Sequence, residues 1–202
     1  MTSDFILRVA GIADVPALYA LIADNLEVGH LLPRTVEDLE QHVDRFIVVE
    51  TGGVVMACAE LAPLGHDVAE VRSLVVHEAF RGRHIGPELV ARLANDAAAR
   101  GFSTLCAFTH EPSHFVRLGF SIVPRMWVPE KISKDCTSCS LFRRCGQYAV
   151  TFTLREGVTV RPEQPAAVIG AARAAAPRRH NVERLQLHGI PAEPKRKEPI
   201  PA

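Results

Sequence analysis

Blocks of apolar residues punctuate residues 1–156, and their period alternates between that of strands and that of helices. The run Phe5-Ile6-Leu7-Arg8-Val9 reads as a first strand. Asp14 then stands where it can cap a helix whose Leu18, Leu21 and Ile22 share one side. Thr35, with Asp38 three residues on, resembles a capping box in which Asp replaces Glu or Gln. It opens a second helix that ends near Val43. Residues 46–50 (FIVVE), then Gly52-Gly53, then 54–61 (VVMACAEL) carry the pattern of a β-hairpin. Val68 to His77 is a further apolar run, read as a central strand. Gly86 to Arg100 has helical spacing, with Pro87 early, where its missing N–H costs little. Beyond it, STLCAFT predicts a strand, SHFVRL a short helix, GFSIVP a strand, and Gln147 to Leu154 a last strand. Strands interleaved with helices define an α/β (α+β) sheet protein.

After Gly157 the pattern stops. Half of the fourteen prolines lie there, with no sustained apolar period, so residues 157–202 are expected to be a disordered Pro/Arg-rich tail behind a domain spanning 1–156. Asn181 to Leu187 is the one stretch of the tail that could form a short helix. The formal net charge of zero hides an asymmetry: the tail carries eight Lys/Arg against four Asp/Glu, so it is +4 and the preceding part −4. That balance gives no basic nucleic-acid surface on the folded part. No apolar run approaches the ~20 residues that cross a bilayer, and the start has no signal-peptide pattern. Cys58 and Cys106 sit in apolar strand-like runs, and an odd count of five cysteines favours reduced thiols, hence the cytoplasm. Cys136, Cys139 and Cys145 offer three thiols, one fewer than a structural zinc site uses, so no metal is expected.

The strongest chemical signal is the loop Phe80-Arg81-Gly82-Arg83-His84-Ile85-Gly86, between the central strand and its following helix. A helix start presents unbonded N–H groups and the positive end of a dipole. A tight loop before it adds more N–H groups, which suits a pyrophosphate. Gly82 and Gly86 keep side chains out of the way, while Arg81 and Arg83 add charge.

The segment VRSLVVHEAFRGRHIGPELV resembles the acetyl-CoA site of the GNAT acyltransferase superfamily, whose loop reads Arg/Gln-x-x-Gly-x-Gly/Ala. Arg81 and Gly86 match its ends, and His84 stands where the family has its middle glycine. The resemblance covers about residues 5–155. It implies a mixed, mostly antiparallel sheet of six to seven strands whose central strands splay apart. The pantetheine arm would lie in that gap, paired with main-chain groups of Leu74, Val75 and Val76. The loop residues Arg81, Gly82, Arg83, His84, Ile85 and Gly86 would hold the diphosphate.

Longer stretches, LLPRTVEDLEQHVDRFIV, AEVRSLVV, LCAFTHEPSHFVRLGF and WVPEKISKDC, resemble the short stand-alone N-acetylglutamate synthases at the head of arginine biosynthesis. That resemblance implies acetyl transfer from acetyl-CoA to the α-amino group of glutamate, with Glu70 as general base. An ion pair with Arg72, two residues away on the same strand face, is the plain structural alternative for Glu70. Arg34 matches the arginine that holds the α-carboxylate, Arg143 and Arg144 fall where the family places a side-chain-carboxylate arginine, and Ser73 could donate to substrate. Phe115 replaces the tyrosine that serves many GNAT enzymes as general acid. Thr109, His114, Tyr148 or solvent would then protonate the thiolate if anything must, although His110 and His114 read as surface residues. The other open readings are a different acceptor (glutamine, another amino acid or a protein N-terminus) and a non-catalytic sensor of acetyl-CoA or an amino acid. The expected partners are these small molecules, with no nucleic acid or membrane, and a homodimer is the default assembly. No stretch resembles an amino-acid kinase, so feedback by arginine through such a domain is not expected.

Overall fold

A computed structural model describes residues 5–27 and 31–155. The expected tail, including the short helix at 181–187, lies outside the described residues. Seven strands form one sheet: β1 (Ile6–Val9), β2 (Phe46–Thr51), β3 (Val54–Pro63), β4 (Val68–Val76), β5 (Thr104–Thr109), β6 (Ser121–Val123) and β7 (Tyr148–Thr153). Their order is β1-β2-β3-β4-β5-β7-β6. Every neighbouring pair is antiparallel except β4 and β5, which run parallel. The helices are α1 (Val15–Ala23), α2 (Val36–His42), α3 (Ile85–Ala99) and α4 (Pro112–Arg117), with a short α5 (Pro129–Lys131) that continues as one π-type turn over Ile132–Cys136.

Both faces of the sheet are covered, which explains why the hairpin reads as unbroken apolar runs rather than as alternation. Phe46, Val48 and Cys58 point to α1 and α2, while Ile47, Val49 and Ala57 point to α3 on the opposite face. On α1, Val15, Leu18, Leu21 and Ile22 are buried. On α3, Ile85, Leu89, Val90, Leu93 and Ala97 fill the larger core. Cys58 and Cys106 are fully buried, and burial pushes the Cys58 thiol up to about 12, so both act as small apolar groups.

Two caps differ in detail from the sequence reading. Thr35 accepts from the Asp38 N–H at 3.2 Å, but the Asp38 carboxylate turns toward Arg34 instead of closing the box. Asp14 makes no side-chain cap on α1. Its carboxylate accepts from the Gly11 N–H (2.8 Å) across a preceding 3-10 turn and grips Arg8 with both oxygens (2.7 and 2.8 Å). Arg8 is the stronger attraction there, because it also holds Glu50 on β2 (2.6 Å). Among the described residues, no helix is long and apolar enough to cross a membrane.

The feature that creates a site is the parting of β4 and β5. They pair only from Val68–Thr104 to Glu70–Cys106, whereas β4 continues to Val76 and β5 to Thr109. A wedge opens from Val71 onward. On its other edge β4 stays bonded to β3, through a bulge in which Ser73 and Leu74 oppose Ala59 alone. Ser73 adopts φ 47 there, and its carbonyl accepts a long contact from the Cys58 thiol at 3.5 Å.

Candidate active site at the strand gap

The gap leads into a cavity of about 510 Å³. Its walls include Arg34, Glu70, Arg72, Ser73, Leu74 and Lys131. Glu70, the expected base, is buried at the start of the wedge. Arg72 Nε donates to its Oε2 at 2.5 Å, the ion pair foreshadowed by their spacing. Lys131 Nζ reaches both of its oxygens, at 2.8 and 2.9 Å. Asp135 closes the group by accepting from Lys131 at 2.9 Å and from Arg72 Nη2. Burial works to lower the Arg72 pKa, but Glu70, Asp135 and Glu60 outweigh it and hold the guanidinium above its ordinary value. Burial works the other way on Asp135, where Lys131, Arg72 and Lys134 prevail and keep the carboxyl below its ordinary range.

Arg34 also lines the cavity. Its Nη2 donates to Glu60 at 2.8 Å, its Nε lies 2.5 Å from Asp38 off the hydrogen-bond axis, and its guanidinium rests 5.7 Å over the Phe46 ring. Glu60 is buried on β3 directly opposite Arg72 of β4. The sequence reading did not single out Glu60, Lys131 or Asp135. A signal existed for Glu60, since a carboxylate within an apolar strand must find a cation. Lys131 and Asp135 have i, i+4 spacing, which puts both on one side of a helix.

Arg143 and Arg144, expected to hold a side-chain carboxylate, are exposed on a 3-10 turn over Phe142–Arg144 and do not line the cavity. Arg34, Arg72, Lys131 and Lys134 are cations that do, and β4 and α5 carry Arg72 and Lys131 inward. Both histidines line the cavity, His110 exposed and His114 half-buried. Its Nε2 is buried without a hydrogen-bond partner, and burial, then Arg117, lowers its pKa, leaving the ring neutral at pH 7. Phe115 packs edge-on against Phe120 at 5.2 Å as part of the core. Tyr148 is exposed and not part of the cavity wall.

The loop after β4 is tied down before α3 begins. Arg81 donates from Nε to the Val76 carbonyl (3.0 Å) and from Nη2 to Asn25 Oδ1 (2.8 Å), bridging the end of β4 to the turn after α1. Arg83 lies 5.2 Å over the Phe80 ring. Gly82 has φ 77 with open space where a side chain would be. The first helical bond joins the Glu88 N–H to the His84 carbonyl at 3.2 Å, so the N–H groups of Ile85 and Gly86 precede the ladder and face outward from a fifteen-residue helix. A Cβ on Gly86 would meet His114 Cε1 at 3.4 Å, which places that imidazole beside the helix start. His84 caps α3 in the left-handed region, φ 62 and ψ 9. The conformation of a glycine is therefore kept by a residue that pays for it. His84→Gly is expected to raise stability by about 1 kcal/mol. Thermal unfolding reads this directly, and a lower midpoint would show that the imidazole contributes more than its backbone costs.

Cys136, Cys139 and Cys145 are free, half-buried thiols. Among the described residues, no three His, Cys, Asp or Glu side chains are grouped as a metal site would require.

A splayed parallel pair in an otherwise antiparallel sheet, with a loop and a long helix following β4, is the arrangement that the resemblance to GNAT acyltransferases implies. Comparison with known proteins agrees. The model of the Acetyltransferase (GNAT) family matches residues 15–120, and the chain belongs to that family. It is an acetyltransferase. An uncharacterized N-acetyltransferase of Chlorobaculum tepidum, CT2212, is 31% identical over 152 residues, covering 75% of this chain and 98% of the relative. The amino-acid acetyltransferase of Ectopseudomonas mendocina is 38% identical over 112 residues, 55% of this chain and 26% of that protein. Among solved structures, N-acetylglutamate synthase from Neisseria gonorrhoeae, complexed with coenzyme A and N-acetyl-glutamate, superposes with a TM-score of 0.68 at 27% identity, covering 77% of this chain and 36% of that one. Rv2747 from Mycobacterium tuberculosis, in complex with CoA, gives 0.65 at 25% identity, covering 74% and 99%. This chain thus spans about a quarter of the amino-acid acetyltransferase and about a third of the Neisseria enzyme that it matches.

Proposed function

We propose that this protein transfers acetyl from acetyl-CoA to the α-amino group of an amino acid, with glutamate as the acceptor its cavity suits best. The observation that carries the reading is a single cavity that holds a buried carboxylate, Glu70, and is walled by Arg34 and by Arg72 with Lys131, cations that resident carboxylates already hold. An amino acid with an acidic side chain offers two carboxylates to two such walls and an amine between them. The relatives whose names specify amino-acid acetylation, and the Neisseria complex with N-acetyl-glutamate, support the same acceptor class.

The main chain of Leu74, Val75 and Val76 borders the gap and would pair with the pantetheine arm, and Arg81 to Gly86 would cradle the diphosphate. In the reaction the amine nitrogen attacks the thioester carbonyl, a C–N bond forms, the C–S bond breaks, and the sulfur leaves with the electron pair. One proton of the attacking amine must go to a base, and we assign that role to Glu70, the most deeply buried of the carboxylates that line the cavity, acting directly or through water. The thiolate is a good leaving group, since the reference thiol pKa is only about 8.5.

Incubating the protein with acetyl-CoA and a panel of amino acids, while following release of free thiol, tests the reading. Arg34→Met should reduce kcat/KM for carboxylate-bearing acceptors by about 10²-fold and spare amines without a carboxylate. Absence of thiol release with every amino acid on the panel, while CoA still binds, would instead favour a sensor.

A further inference from the structure

Each group of cavity cations is held by one deeply buried carboxylate and one at the solvent-exposed rim of its own ion-pair cluster. Arg34 has Glu60 within and Asp38 outside, and Arg72 with Lys131 has Glu70 within and Asp135 outside. The deep pair are 2% and 3% exposed at their side chains, the rim pair 40% and 31%. The four side chains of the second group that touch one another, two cations and two anions, are neutral as a set without any ligand, while Lys134 nearby donates to the Pro63 carbonyl at 2.6 Å. A substrate carboxylate entering beside it would make a partly buried cluster of net charge −1, unless one resident anion left. Glu70 cannot leave cheaply, because its departure from Lys131 would strand a buried cation. Asp135 can, since water already reaches it, and it rides on the π-type turn at the cavity edge, a backbone form common at functional sites.

We infer that Asp135 is an internal stand-in for the acidic side chain of the acceptor: it occupies Arg72 and Lys131 in the empty protein and yields them to the incoming carboxylate. This rests on the amino-acid reading above and deepens it, assigning the second carboxylate to Arg72 and Lys131. Asp135 then sets selectivity by competition. It raises the barrier to entry for any side chain that cannot displace it, and it weakens the binding of those that can. The consequence runs opposite to that of an ordinary binding residue, because removing this carboxylate improves recognition of an acidic acceptor.

The test compares wild type, Asp135→Asn and Asp135→Glu in turnover of L-glutamate and L-glutamine with acetyl-CoA. The ratio of kcat/KM for L-glutamate over L-glutamine should rise about three- to tenfold in Asp135→Asn, through KM for L-glutamate, and return toward wild type in Asp135→Glu. A ratio that falls or stays put overturns the inference and leaves the amino-acid reading intact. Calorimetric titration with glutarate, which carries two carboxylates and no amine, provides a readout apart from catalysis. Tighter binding by Asp135→Asn supports the stand-in, and equal or weaker binding sinks it, even if neither amino acid is acetylated and the proposed function itself has failed. Asp135→Ser serves as the second variant if the asparagine form does not fold.

Discussion

Glu70→Gln should lower kcat by about 10²- to 10⁴-fold while leaving CoA uptake in place, the loss expected when a positioned proton acceptor is removed. Glutamine keeps the shape and the hydrogen-bond reach of the side chain and cannot take a proton. The test is demanding because Glu70 has a structural role as well. Its carboxylate holds Arg72 at 2.5 Å and Lys131 at 2.8 Å, and a neutral amide leaves those two cations with Asp135 as their nearest anion. Stability should therefore fall with activity, and two measurements separate the effects. Calorimetry with CoA reports whether the gap between β4 and β5 is intact. The pH profile of kcat/KM reports the base: the acidic limb should vanish in the variant if Glu70 collects the proton. It should survive with a uniformly lower rate if Glu70 only positions Arg72 and Lys131. Full activity in Glu70→Gln would remove the residue from the mechanism altogether.

The parts of this site that sequence conveys are those that obey a period. Phe46 to Val49 and Met56 to Ala59 read as strands because both faces of the sheet are buried and no polar residue interrupts them. The loop from Arg81 to Gly86 stands out because Gly82 and a helix start leave a recognisable spacing of glycine and arginine. The bulge at Ser73 was invisible, since nothing about a serine in an apolar run announces a φ of 47. Over residues 125–146 no strand or helix was expected, for a different reason. Their apolar side chains follow neither a strand nor a helix period, because a 3-10 turn, a short helix and a π-type turn succeed one another there. Lys131 and Asp135 lie inside that stretch, so half of the charge cluster was hidden even though their spacing by four was in plain view. Arg143 and Arg144 drew notice because they fall where the family places a side-chain-carboxylate arginine, and the structure has both exposed on a turn outside the cavity wall. His114 was misjudged because its neighbours alternate between solvent and core, and a six-residue helix gives too few positions to tell which side faces the cavity.

Lys131→Met should destabilise the protein by about 3–5 kcal/mol, the loss typical of breaking a buried charge network from one side. For a domain of this size that corresponds to a melting point lower by about 10 °C. Methionine can fill the space of the lysine stem beside Phe108, so the loss comes from charge: Glu70 and Asp135 then share Arg72 alone, and the cluster carries −1. Asp135→Asn added to Lys131→Met restores neutrality, leaving the Glu70–Arg72 pair, and should recover more than about 1 kcal/mol relative to the sum of the single variants. The pH dependence has a definite sign. Asp135 titrates below its ordinary 3.8 in the folded protein, so its contribution to stability is fully present above about pH 4 and is lost as pH falls through the folded value. Without Lys131 that carboxyl moves back toward its ordinary range and contributes less, so the gap between wild type and Lys131→Met should narrow as the solution is acidified below about pH 4. A gap that is constant with pH, together with additive behaviour in the double variant, would mean that Lys131 stabilises by packing and that the four charges do not act as a unit.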